Sequence, residues 1–98
     1  MIVEHAVLSV RPGAEDDFVE AFETAKAIIA SMRGFRQLTL SRCIERPRAF
    51  LLLVEWETLE DHTEGFRESP EYLEWRRLLH DFYDPFPTVE HFKPVLEA

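Results

Sequence analysis

Five apolar residues in succession, Phe50-Leu51-Leu52-Leu53-Val54, constrain the fold of this 98-residue chain more than any other segment. They lie within a predicted strand, Ala49 to Glu57, and the side chains of a strand point alternately to the two faces of its sheet. A strand that is apolar on both faces needs cover on both sides. Because the helices of so small a domain can cover only one sheet face, we expect a second copy of the chain to cover the other.

Three further strands are predicted around this segment. Residues 2–10 are rich in aliphatic residues and predict the first strand, which ends at the turn residues Arg11-Pro12-Gly13. Phe35 to Glu45 alternates in polarity and predicts the second strand, and the turn Arg46-Pro47-Arg48 joins it to the third as an antiparallel hairpin. Thr88 to Lys93 predicts a short last strand.

Helical periodicity indicates one helix after the first strand and a helix pair after the third. Acidic residues 15–17 favour the start of the first helix, and Gly34 is a candidate left-handed residue at its end. Thr58-Leu59-Glu60-Asp61 has the spacing of a capping box and should begin a short helix with Leu59, His62 and Phe66 on one side. Ser69-Pro70 should begin the next helix. The predicted buried stripes are Phe18, Phe22, Ala25, Ile29 and Met32 in the first helix, and Tyr72, Trp75, Leu79, Phe82 and Tyr83 in the last.

The resulting βαββαβ order predicts the α+β class with a ferredoxin-like arrangement, a four-stranded antiparallel sheet with its helices on one face. We expect one domain over residues 1–98 and a homodimer. A net charge of −8 argues against a nucleic-acid partner. No apolar run is long enough for a membrane span, and residues 1–5 show no secretory signal. The single cysteine, Cys43, is compatible with a cytoplasmic protein.

Residues along nearly the whole chain carry a family resemblance. The residues that carry it are Trp56 at a strand end, residues 57–62, Phe66, Ser69-Pro70, Tyr72, Trp75 and residues 87–92, with Arg11-Pro12-Gly13 before the first helix. On these residues the chain resembles the antibiotic biosynthesis monooxygenase superfamily of dimeric α+β barrels. The resemblance implies a homodimer with a cavity between the helices and the sheet of each subunit.

The resemblance also implies a cofactor-independent monooxygenase that acts on a small aromatic or enolisable compound. Two alternatives stay open: a non-catalytic ligand-binding or stress-related barrel protein, and an isomerase of a small ketone. The family's haem-degrading triad includes an asparagine on the first strand, and this chain contains no asparagine. Haem degradation is therefore not expected.

His62 is the candidate catalytic residue, as a base or an orienting group, because histidine titrates near neutral pH. A histidine that only holds the short helix in place is the alternative, and aromatic residues at helical spacing are also typical of a core. Arg76 could hold an anionic oxygen or pair with Glu71 or Asp81. The histidine spacing and the three glycines provide neither a metal site nor a phosphate loop, so no cofactor is expected. The predicted substrate-binding residues are Trp56, Phe66, Tyr72, Trp75, Arg76, Tyr83, His5 and His91.

Overall fold

A four-stranded antiparallel sheet with the strand order β2-β3-β1-β4 forms one layer of the protein. It is seen in a computed structural model that describes residues 1–98. The strands are β1 (Ile2–Ser9), β2 (Phe35–Arg42), β3 (Ala49–Trp56) and β4 (Val89–Phe92). The α+β class and the ferredoxin-like arrangement are therefore confirmed. The second strand ends at Arg42 and not at Glu45, because the backbone turns there toward β3.

Helix α1 (Glu15–Ala30) packs across this sheet, and four of the five predicted stripe residues, Phe18, Phe22, Ala25 and Ile29, are buried. The fifth, Met32, lies beyond the end of the helix and is half-buried. Gly34 has a φ of +85°, as expected for a left-handed residue after a helix. A Cβ atom at Gly34 would overlap the side chain of Asp61, so glycine is needed there for space as well as for backbone conformation.

The predicted short helix is a six-residue π-helix, Asp61–Phe66. Thr58 precedes it, and its Oγ1 atom accepts a hydrogen bond of 3.1 Å from the backbone N–H of Asp61, as a cap would. His62 and Phe66 are buried, as predicted. Leu59 was predicted on the same side but is not buried, because it precedes the π-helix and is 38% exposed.

Helix α2 (Pro70–Leu79) follows and ends in a single 3₁₀ turn, residues 80–82. Its start is the predicted one, because the Ser69 side chain accepts a hydrogen bond of 3.2 Å from the backbone N–H of Tyr72 and Pro70 occupies the first helical position. No helix in the structure is both long and apolar enough to cross a membrane.

The two faces of the sheet differ in their surroundings. Even-numbered residues of β1 and β3 face the helices; Ala6, Leu8, Phe50, Leu52, Val54 and Trp56 are all buried there. Odd-numbered residues face away from the helices. On this second face, called the open face below, Leu51 and Leu53 are half-buried and Val7 is 40% exposed. The central strand is therefore apolar on both faces.

Candidate functional site

A cavity of about 440 Å³ lies between the helices and the helix-facing side of the sheet. Its floor includes Ala6, Leu8 and Leu52, and its walls are largely aromatic. Such a mixture of apolar walls and a few polar groups is typical of sites for small organic molecules. The aromatic wall residues are Phe66, Tyr72, Trp75, Tyr83 and Phe86.

Two polar side chains are buried in the helix-facing layer, Glu4 at 5% and His62 at 3% exposure. The His62 Nε2 atom lies 3.2 Å from Glu4 Oε1, and its Nδ1 atom lies 2.7 Å from Nε2 of His91. The indole N–H of Trp56 donates a hydrogen bond of 3.0 Å to the same Glu4 oxygen. Glu4, His62 and His91 therefore form one continuous chain of close polar contacts, called the Glu4–His62–His91 network below.

Sheet pairing and one helical turn assemble this network. Glu4 of β1 and His91 of β4 are direct partners in the antiparallel pairing, so both side chains point to the helix side. His62 at the start of the π-helix reaches both of them. Its ring stacks on Trp56, with centroids 5.4 Å apart and planes inclined by 19°. Both the aromatic layer and the strand register therefore fix the position of His62.

Burial controls the ionisation of the network. It raises the pKa of Glu4, while the hydrogen bond from Trp56 and the positive charge of Arg67 act in the opposite direction. The pKa of His62 is lowered to about 3, first by burial and then by the charges of Arg67 and His91. Burial and Arg67 also lower the pKa of His91. At neutral pH the two imidazoles are therefore uncharged, and the close contact between Glu4 and His62 is not an ion pair.

Two further residues with titratable side chains, Tyr83 and His80, line the cavity. Tyr83 is buried, and burial followed by the proximity of Tyr72 and Glu4 raises the pKa of its phenol. Its hydroxyl therefore stays protonated and can act only as a neutral donor or acceptor. Burial and the charge of Arg76 lower the pKa of His80, which also lines the cavity.

The structure brings most of the predicted site residues together. His62, Phe66, Tyr72, Trp75 and Tyr83 line the cavity. Trp56 and His91 stand behind them, in contact with Glu4 and His62 respectively.

Two of the predicted site residues lie elsewhere. His5 is on the open face, where its ring meets that of Phe92, because neighbouring residues of a strand point to opposite faces and Glu4 takes the helix side. Arg76 is exposed and outside the cavity, because it is rotated by about 100° from the buried Trp75 on α2.

Among the cavity residues that were not predicted from the sequence are one acidic and one basic side chain, Glu4 and Arg67. Glu4 shares the inward alternation of Ala6 and Leu8, and a carboxylate in that pattern is the signal that would have identified it. Arg67 directly follows Phe66 at the end of the π-helix and lines the cavity. It takes part in no ion pair or side-chain hydrogen bond, so its charge is available to a ligand.

No group of three or more His, Cys, Asp or Glu side chains is arranged to hold a metal ion. The Glu4–His62–His91 network does not converge on a point, because His62 lies between its two partners. The arrangement suits proton transfer next to an aromatic ligand.

Comparison with known proteins gives consistent results. A family model described as antibiotic biosynthesis monooxygenase matches residues 1–78. The uncharacterised protein YczJ of Bacillus subtilis (strain 168) is 57% identical over 95 residues, which are 97% of this chain and 100% of that protein. A Bordetella bronchiseptica crystal structure, provisionally named an antibiotic biosynthesis monooxygenase, superimposes with a TM-score of 0.92 at 37% identity and covers 97% of both chains.

The cofactor-independent oxygenase SnoaB from Streptomyces nogalater has the same fold. It superimposes with a TM-score of 0.86 at 18% identity, over 98% of this chain and 94% of SnoaB. At this identity the likeness concerns the fold alone.

Proposed function

This chain belongs to the antibiotic biosynthesis monooxygenase family, and from that premise we propose that it is a cofactor-independent oxygenase of a small aromatic or enolisable compound. The observation that carries the proposal is the buried Glu4–His62–His91 network beside an aromatic cavity. A single domain over residues 1–98 and a cytoplasmic location belong to the same proposal. The unpaired Cys43 supports that location.

Such a reaction needs a substrate that becomes a reductant once it loses a proton. A base removes one proton from a CH₂ group next to an aromatic ketone, and the electron pair stays on the substrate. The resulting carbanion gives its electrons to dioxygen and forms a peroxide anion, which takes the proton back. Loss of the second C–H proton and cleavage of the O–O bond then give a carbonyl and one water. The balance is CH₂ plus O₂ to C=O plus H₂O.

The cavity offers what these steps require. The network provides the acid–base group, and the aromatic walls exclude water from the carbanion. The guanidinium of Arg67 lines the cavity without an ion-pair partner and suits the oxygen of an enolate or phenolate. Tyr72, Trp75 and Tyr83 would hold the ring system by stacking and edge contacts. Arg67 thereby takes the place that the sequence suggested for Arg76.

A homodimer joined through the open faces of two sheets is also part of the proposal. The open face presents Val7 at 40% and Phe92 at 51% exposure beside the half-buried Leu51 and Leu53. The uncovered apolar side chains favour contact with a surface of the same kind, and a second copy supplies one.

The test is dioxygen consumption with a panel of hydroxylated aromatics that includes dithranol, a hydroxylated anthrone. The rate without protein is subtracted because anthrones oxidise slowly by themselves. We expect uptake by the wild type, one labelled oxygen atom in the product carbonyl when labelled dioxygen is used, and a roughly 10²–10⁴-fold lower kcat for His62→Ala. Glu64→Ala, an exposed neighbour on the same π-helix, is the matched control.

Two results would contradict the proposal. Equal turnover by the wild type and His62→Ala would remove the network from the mechanism. Binding of panel compounds without uptake above the protein-free rate would favour a non-catalytic ligand-binding protein.

A further inference from the structure

We propose that Glu4 accepts the substrate proton, and that His62 and His91 form a relay that connects the Glu4 carboxyl group with the protein surface. This inference rests on the proposed function, whose substrate must lose a proton before dioxygen reacts. It assigns the reacting carboxylate to a residue on β1 and gives the two histidines positioning roles.

Both ring nitrogens of His62 already have a polar neighbour within the protein. A neutral imidazole has one donor nitrogen and one acceptor nitrogen. The Nε2 atom of His62 is engaged with Glu4 and its Nδ1 atom with His91. A direct role of His62 as the base would therefore require at least one of these two contacts to break.

Glu4 has the free acceptor that His62 lacks. Both of its protein contacts, from Trp56 and from His62, are to the Oε1 atom. The Oε2 atom makes no hydrogen bond within the protein, and Glu4 lines the cavity. An ionised carboxylate has lone pairs on both oxygens, so Oε2 is the atom placed to take a proton from a bound molecule.

The two histidines can follow the protonation state of Glu4 by changing tautomer. When Glu4 is ionised, His62 Nε2–H donates to Oε1 and His91 Nε2–H donates to His62 Nδ1. When the Glu4 carboxyl donates to His62 Nε2, His62 Nδ1–H donates to His91 Nε2. One proton gained or lost at Nδ1 of the partly exposed His91 interconverts the two states. The buried carboxyl group thus exchanges protons with the surface while both imidazoles stay neutral in each state.

Groups from several elements act on this carboxyl. Burial raises its pKa, the Trp56 indole on β3 and the Arg67 charge after the π-helix lower it, and the phenol of Tyr83 stands nearby. His91 on β4 and His62 add no charge at neutral pH. A carboxylate with a raised pKa is a stronger base than an exposed one and suits a carbon acid activated by an aromatic ketone.

The proton step is complete without another reagent. The C–H bond of the substrate breaks, its electron pair remains as an enolate next to Arg67, and a new O–H bond forms at Glu4 Oε2. The same proton returns to the peroxide anion after dioxygen has reacted.

The first experiment is done without dioxygen. Dithranol is added to the wild type and to Glu4→Gln, binding is followed by tryptophan fluorescence, and the long-wavelength absorbance of the dithranol anion reports deprotonation. We expect bound anion with the wild type and with Glu64→Gln, and at least a tenfold smaller anion fraction with Glu4→Gln at comparable occupancy. An undiminished anion fraction in Glu4→Gln would overturn the assignment. If the wild type consumes no dioxygen but forms the anion, the oxygenase proposal fails while the assignment of Glu4 stands.

The second experiment needs no ligand, so it tests the relay even if dithranol does not bind. Infrared spectra of the protein are recorded across pH with isotope-labelled glutamate. In the wild type, one band of a protonated carboxyl group should persist at pH values above the range in which glutamate usually titrates. This band should be absent from Glu4→Gln, present in Glu64→Gln and shifted in His91→Gln. If every carboxyl band titrates in the ordinary range, or if His91→Gln leaves the band unchanged, the relay is refuted.

Discussion

The indole N–H of Trp56 donates a hydrogen bond of 3.0 Å to Oε1 of Glu4 across the adjacent strands β3 and β1. Trp56 is fully buried and Glu4 is 5% exposed, so water does not replace this donor. A donor of this kind stabilises the ionised carboxylate and opposes the effect of burial. A core tryptophan thereby adjusts the acidity of a group that lines the cavity.

Trp56→Phe should raise the pKa of Glu4 further, because the variant loses the indole donor and keeps an apolar ring. The variant should also be less stable by about 2–4 kcal/mol, since it loses a hydrogen bond to a charged group and leaves a gap in the core. Infrared titration of the carboxyl band and urea unfolding measure the two effects. If the Glu4 band titrates at the same pH as in the wild type or at a lower one, the indole does not control the pKa of Glu4.

Stability should fall as the pH is lowered from 6.5 toward 3. Folded His62 has a pKa of about 3 and unfolded histidine one of 6.5, so the unfolded state binds more protons in this interval. The contribution is complete above pH 6.5 and lost progressively below it, up to on the order of 4 kcal/mol. Glu4, whose pKa is raised, acts oppositely: its contribution is present at low pH and lost as the pH rises through its folded pKa.

The measurement is urea unfolding of the wild type and His62→Gln between pH 7 and pH 4. The acid-induced decline should be smaller in His62→Gln, because the variant has no imidazole to protonate on unfolding. Parallel declines in the two proteins would contradict the lowered pKa of His62.

Gly34→Ala should destabilise the protein more than Gly13→Ala. Both glycines have positive φ, 85° and 84°, so both variants incur a backbone cost of about 1–2 kcal/mol. Only at Gly34 does the new Cβ meet another residue, the side chain of Asp61, whereas Gly13 has nothing within 4 Å. The overlap should add about 1–3 kcal/mol. Urea unfolding of the two variants tests this, and equal losses would show that the π-helix simply moves away.

Val7→Lys should convert the proposed dimer to a monomer. A charge on the open face would have to be buried without a partner between two sheets. Ile44→Lys is the matched control, because Ile44 is 90% exposed in a loop outside the sheet. Sedimentation velocity at micromolar concentration should give a dimer for the wild type and Ile44→Lys. A wild-type monomer would refute the dimer.

Arg67→Ala should weaken dithranol binding and raise the pKa values of His62 and His91, since the Arg67 charge lowers both. The affinity should fall by about tenfold if one charged contact to the ligand is lost. Arg76→Ala removes an exposed arginine outside the cavity and serves for comparison. Fluorescence titration and histidine NMR give the two readouts. If Arg76→Ala weakens dithranol binding more than Arg67→Ala does, the anion site is at Arg76 on α2 and not at Arg67.

The sequence predicted the fold because its strongest signals are local. The apolar pattern of residues 50–54 and the Ser69-Pro70 helix start depend on neighbours in the chain, and the structure has both. The short helix was predicted as well, but its π geometry was not, because that depends on how the turn fits against the sheet. Leu59 was wrongly placed inward for the same reason.

The site was harder to predict because it joins distant parts of the chain. His62 was identified from its own helix, but its partners Glu4 and His91 are 58 and 29 residues away and meet it only through strand pairing. A one-residue shift on β1 exchanges Glu4 for His5, and His5 was included among the predicted binding residues although the sequence alone did not fix which sheet face it lies on. Because side chains alternate along β1, the residue that shares the helix-facing side with Ala6 and Leu8 is Glu4 and not His5.

The last strand pairs with β1 over four residues only, and its other edge has no neighbouring strand. Short edge strands are among the first elements to open in native proteins. Each transient detachment of β4 would carry His91 away from His62 and cut the proton path, while the cavity floor on β1 and β3 stayed intact. The fraction of time that β4 spends detached would then lower the rate at which the interior equilibrates with external pH.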